Sequence, residues 1–131
     1  MSATTPYQKL ISDIKTLLSD NIQNLHVYDE WPGEKIKLPA AILYTFATRE
    51  NTVWFNRTSR ILEVGITIDV WAGKPSLRDT YADQIIKVLY ENMSSFCLGI
   101  RLVSSRDLVE YARRGAFYRK ALDFMCLVIA P

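Results

Sequence analysis

Few side chains in this sequence of 131 residues could do chemistry. The single histidine, His26, stands shortly before Asp29 and Glu30, and the two cysteines are Cys97 and Cys126. A cysteine nucleophile needs its thiolate, usually held by an imidazole nearby. Both cysteines lie in apolar strings, "SSFCLGI" and "DFMCLVI". Such surroundings favour the thiol, so both are expected as buried free thiols and not as a disulfide. His26 with Asp29, Glu30 or a cysteine has no metal-ligand spacing and reads as a solvated strand end. Asp79 and Asp83 stand four apart at the start of an expected helix, where the helix dipole stabilises solvated carboxylates. Neither a GxGxxG nor a GxxxxGK[ST] phosphate loop occurs. The triplet Asn56-Arg57-Thr58 matches a glycosylation sequon, but the opening "MSATTPYQKL" has no signal-peptide character, and a chance match is the plainer reading. The residues at hand point to no enzyme, no cofactor and no metal.

Residues suited to contact are more plentiful. The stretch "ENTVWFNRTSR", Glu50 to Arg60, joins two expected strands and should be wet, yet it holds Val53, Trp54 and Phe55 in a row. Arg49, Arg57 and Arg60 surround them. Aromatic and arginine side chains are favoured at protein interfaces, because each supplies area and polar contact together. The alternatives are that Trp54 folds back as a plug on the chain's own core, or that the rings stack on single-stranded nucleic acid. Nucleic acid would ask for a basic groove, and the formal net charge is only +2. Positive charge gathers locally, at Arg101, Arg106, Arg113, Arg114, Arg119 and Lys120.

These residues must be held by a single domain, which the length suits. Half-apolar composition excludes a disordered tail, and no apolar run is long enough for a membrane span. Thr5, Pro6 and Gln8 form a capping box at the head of a first helix, whose stripe is Tyr7, Leu10, Ile11, Ile14, Leu17, Leu18 and Ile22. A short extended piece, 25–28, precedes a loop broken by Pro32, Gly33 and Pro39. Residues 40–47 and 60–71 alternate as two strands of a hairpin extended around 47–61. In the second strand Leu62, Val64, Ile66, Ile68 and Val70 form the buried face, and Glu63, Gly65, Thr67, Asp69 and Trp71 the wet one. Ser76 is the expected cap of a second helix, with Leu77, Tyr81, Ile85, Val88, Leu89 and Met93 inward. Residues 100–108 and 118–129 then form a last hairpin, turned around Gly115. The expected fold is α+β: two helices on one face of a mainly antiparallel sheet, in the order α-β-β-β-α-β-β.

Several strings in this layout resemble the tail-terminator, or tail-completion, proteins of long-tailed bacteriophages. They are "LPAAILYTFATREN", "RILEVGITIDVWAGKPSLRDTYADQIIKVL" and "SSRDLVEYARRGAFYRKALDFMCLVI", behind an amphipathic first helix. The resemblance spans nearly the whole chain and is one of pattern, with no catalytic signature. It implies a structural protein of the virion, at the junction of tail and neck, assembled in the host cytoplasm. It implies a homo-hexameric ring that caps the tail tube, stops its polymerisation and offers the head-joining surface. The implied partners are further copies of the chain, the tube protein, a neck or stopper protein and, in a contractile tail, the sheath. DNA would pass through such a ring without specific binding. The interface residues expected are Arg49, Val53, Trp54, Phe55, Arg57 and Arg60 on the first hairpin, with Arg113 and Arg114 on the second. Another neck ring protein, such as a stopper or head-completion adaptor, is the nearest alternative. A small-ligand enzyme and a nucleic-acid-binding module are the others.

Overall fold

The computed structural model describes residues 5–51, 60–112 and 115–130. Its principal elements are α1 (Pro6–Asn21), β1 (His26–Tyr28), β2 (Ala40–Asn51), β3 (Arg60–Ala72), α2 (Pro75–Glu91), β4 (Gly99–Ala112) and β5 (Gly115–Ala130). The fold is α+β, as expected. The sheet runs β1-β2-β3-β5-β4; β1 lies parallel to β2, and every other pair is antiparallel. No helix among the described residues is long and apolar enough to cross a membrane.

α1 begins as its sequence dictates. The Thr5 hydroxyl accepts from the Gln8 N–H, and the Gln8 side chain accepts from the Thr5 N–H. Each satisfies a donor that a helix start leaves unpaired. Leu10, Ile14, Leu18 and Ile22 are buried, while Tyr7 stays at the surface. The helix ends before Asn24, which takes a left-handed φ of 65° that asparagine tolerates.

α2 departs from expectation in its first turn. Its cap position is Lys74, with Pro75 at N1, and Ser76 lies inside the helix. Proline's fixed φ suits N1 and drives the residue before it into an extended conformation, so Pro75 sets the start. The inward face is then Arg78, Ala82, Ile85 and Leu89, and Leu77 is exposed. Tyr81 and Val88 pack at the margin of the core.

The core lies between the helices and one face of the sheet. Val64, Ile66, Ile68, Val70, Leu122, Cys126 and Leu43 are wholly enclosed there. Leu62 to Val70 therefore face the helices, as their alternation predicts. The opposite face of β3 was expected to be wet, and it is not: Gly65, Thr67, Asp69 and Trp71 are also buried. β3 is the central strand, and side chains from β2 and β5 fold over its far side.

The first hairpin extends past Ala47 as expected, and the last hairpin is longer than its sequence suggests. β2 continues to Asn51, which pairs with Ile61, so the puzzling stretch begins and ends as strand. β4 and β5 pair out to Ala112 and Gly115, whose φ of 121° favours glycine. Two irregularities interrupt the ladders, between Thr45 and Ala47 and between Leu102 and Ser104.

Candidate interaction surface

The side of the sheet away from the helices carries a charged row beside an aromatic patch. Arg119 on β5 stands opposite Trp71, and its Nη2 donates to Asp69 Oδ2 at 2.6 Å while its Nε donates to Oδ1 at 3.3 Å. Its other terminal nitrogen donates to Glu110 on β4. The guanidinium lies 4.6 Å from the ring centroid of Trp71, a cation–π distance. Asp69 is 4% exposed, so a charge this deep requires such a partner. One layer along, Asp123 accepts from Thr67 at 2.7 Å and from Ser104 at 2.9 Å, with Arg106 at 4.0 Å. The row thus ties β3, β5 and β4 together.

The aromatic patch closes the β1 end of this face. Trp31 and Phe117 flank Trp71 at centroid distances of 5.4 and 6.1 Å, and Tyr28, Ile36 and Leu38 pack beside it. Among the described residues the buried indole nitrogen of Trp71 has no hydrogen-bond partner. Farther along β2, Tyr44 and Phe46 are half-exposed. Burial, with the Asp69 carboxylate second, holds the Tyr44 hydroxyl above its ordinary pKa.

A second cluster locks α2 to the last hairpin from the helix side. Arg78 donates to Asp79 at 2.9 Å and approaches Asp107 at 3.7 Å; Lys120 lies 3.1 Å from Asp79 and 3.4 Å from Asp107. Hydrogen bonds from Arg78 and then Lys120 hold the Asp79 carboxyl below its usual range, and bonding to Asp79 raises Lys120. The run of positive charge read from the sequence is therefore matched within the fold at Arg106, Arg119 and Lys120.

The histidine is kept apart from the two cysteines. His26 is exposed on β1, whereas Cys97 leads into β4 at the opposite edge of the sheet. Cys97 and Cys126 are both free thiols; Cys126 is buried as expected, but Cys97 is only partly buried, because it lies in the turn that leads into the edge strand β4. Contact with Cys97, together with burial, pushes the Cys126 thiol up, while the same contact lowers the thiol of Cys97. Asp29 pairs with Lys15 at 3.5 Å. No group of three His, Cys, Asp or Glu among the described residues is gathered as a metal would need.

Of the expected interface residues, Arg49 is exposed and paired with Glu63 across β2 and β3. Arg60 is exposed at the start of β3. Val53, Trp54, Phe55, Arg57, Arg113 and Arg114 lie outside the described residues. Sequence reading missed the Asp69–Arg119–Glu110 row, because its members are far apart in the chain. A charged residue inside a strand as apolar as β3 was the available signal. The structure also exposes apolar side chains along β4, at Val103 (54%), Val109 (44%) and Tyr111 (84%).

Comparison with protein-family models and with curated proteins finds no match to this chain.

Proposed function

We propose that the chain is a ring-forming structural protein that caps the end of a phage tail tube and prepares it for joining to the head. The observation that carries this reading is the element order, a capped helix, a short strand, a long hairpin, a second helix and a second long hairpin. It agrees with the layout that the resemblance to tail-terminator proteins implies. The exposed apolar side chains of β4, Val103, Val109 and Tyr111, offer area that a neighbouring subunit could cover. Capping is a matter of shape: one ring face matches the tube's growing end and the other does not, so no further tube ring adds. Trp54 and Phe55, which the chain places between β2 and β3, serve in this reading as anchors against a neighbouring subunit or the tube. A pull-down of purified tube protein, with no head or portal present, tests the function. Binding is expected; binding only to head-side components would assign the chain to another neck ring.

A further inference from the structure

Among the described residues the two edges of the sheet lack strand neighbours over long and complementary stretches. Among the described residues β1 pairs with β2 at Ala40, Ala41 and Ile42, and the outer side of β2 from Tyr44 to Asn51 has no strand neighbour there. β4 is the other edge. Its Leu102 N–H donates to the Tyr90 hydroxyl at 2.9 Å, so α2 guards the first part of that edge, and Ser104 to Ala112 has no outer strand neighbour among the described residues. Such edges present rows of backbone donors and acceptors that pair readily with another chain.

We infer that these edges pair with each other between copies: the outer stretch of β4 in one protomer adds antiparallel to the outer stretch of β2 in the next. The inference rests on the ring reading above and specifies its contact. Polarity comes first. The strands β2, β3, β5 and β4 alternate in direction, so the two edges of one protomer run oppositely. Copies turned about an axis therefore meet edge to edge in antiparallel register, with β4 always against β2. That contact is head-to-tail, the kind that closes into rings.

Offset comes second. Ala47, in the open part of β2, lies level with Gly65 of β3; Leu108, in the open part of β4, lies level with Trp71 through Arg119. Those levels differ by six residues of β3, or about 20 Å along the strand. Four strands at about 4.8 Å spacing span about 19 Å across. Joining the open stretches thus slopes the strands at about 45°, close to the tilt at which sheets close on themselves.

Area comes third. Tyr44, Phe46 and Tyr111 stand beside these stretches and are 44%, 50% and 84% exposed. At about 150–250 Å² per ring, their exposed parts come to roughly 350 Å². Leu108, Val109 and two backbone edges of about eight residues add to this, towards the roughly 1,200 Å² of the smaller stable interfaces.

Disulfide trapping tests the contact. Leu108→Cys is combined with Ala47→Cys or Arg49→Cys in a Cys97→Ser background, and the purified chain is concentrated and oxidised. Within one protomer β2 and β4 are three strand spacings apart, about 14 Å, beyond the reach of a disulfide. Every such bond must join two copies. A ladder of covalent oligomers ending in a closed species is expected, with each single-cysteine variant stopping at the dimer. Closed rings in electron micrographs without the ladder would overturn the edge contact and leave the tail reading standing. A chain that sediments as a monomer when concentrated would overturn the contact too, as would cysteines that trap a different protein in place of a second copy. A ladder together with normal tails in the protein's absence would keep the contact and remove the tail reading.

Discussion

The ring of Phe46 occupies the space where a side chain on Gly65 would stand. A Cβ built on Gly65 would fall 2.5 Å from Phe46 Cζ and within 3 Å of two further ring carbons. Gly65 is buried in the central strand, and Phe46 lies at the irregularity of β2 that faces it. The aromatic ring thus stands in for the missing side chain and covers the backbone there.

Gly65→Ala should accordingly destabilise the fold by about 1 kcal/mol, the low end of overpacking costs, since the half-exposed ring can give way towards solvent. Phe46→Ala should also cost stability, by uncovering Gly65. The double variant should lose less than the two single losses together, because the added methyl no longer meets the ring. Urea unfolding of the four proteins measures this coupling, and strict additivity would show that the ring's position over Gly65 does not matter.

The Asp69–Arg119 pair makes a sharper demand. Asp69→Ala leaves the Arg119 guanidinium with Glu110 and the face of Trp71, and should cost about 2–4 kcal/mol. Replacing both residues with apolar ones of similar size, Asp69→Leu with Arg119→Met, should recover most of that loss. A double variant less stable than Asp69→Ala would mean that the row contributes more than mutual neutralisation.

How much of this was legible in the sequence differs from element to element. The capping box of α1 is local, a matter of Thr5, Pro6 and Gln8, and it reads directly. The buried face of β3 also reads, because Leu62, Val64, Ile66, Ile68 and Val70 alternate without a break. The start of α2 is equally local, but two local rules compete there: serine favours the cap and proline favours N1, and Pro75 prevails. What could not be read are the partners across the sheet. Asp69 meets Arg119 fifty positions on, and Thr67 meets Asp123 fifty-six positions on. Only the strand order β3-β5-β4 brings them together, and alternation alone marks Thr67 and Asp69 as wet. The candidate interface was legible as residue types, while the open edges that could carry it follow from sheet topology.

Tyr44 supplies a pH dependence. Its folded pKa is raised above the ordinary 10.0, first by burial and next by Asp69. The folded state therefore holds that proton more tightly than the unfolded chain does. The resulting stability is fully present below pH 10 and is lost as pH rises through the folded value. Tyr44→Phe should flatten the alkaline limb of the stability curve, measured by urea midpoints between pH 8 and 11. An unchanged limb would place the alkaline loss elsewhere.

Trp54 and Phe55 test the anchor role. Replacing both with Ser should leave the melting temperature of the isolated chain nearly unchanged and weaken assembly, since each truncated anchor can cost on the order of 2 kcal/mol or more. An early-melting, poorly soluble variant would instead identify the two rings as part of the chain's own core. Arg113→Glu with Arg114→Glu should leave the fold intact and weaken docking to an adjoining ring, read by co-sedimentation with tails. Unaltered docking would remove those two arginines from the interface.

The most direct test of the central claim is the length distribution of tails assembled without this protein, measured by electron microscopy. An uncapped tube keeps growing, so the account predicts tails of irregular and excessive length beside heads that carry none, with uniform tails restored on adding the protein back. Tails of normal, uniform length joined to heads in its absence would contradict it.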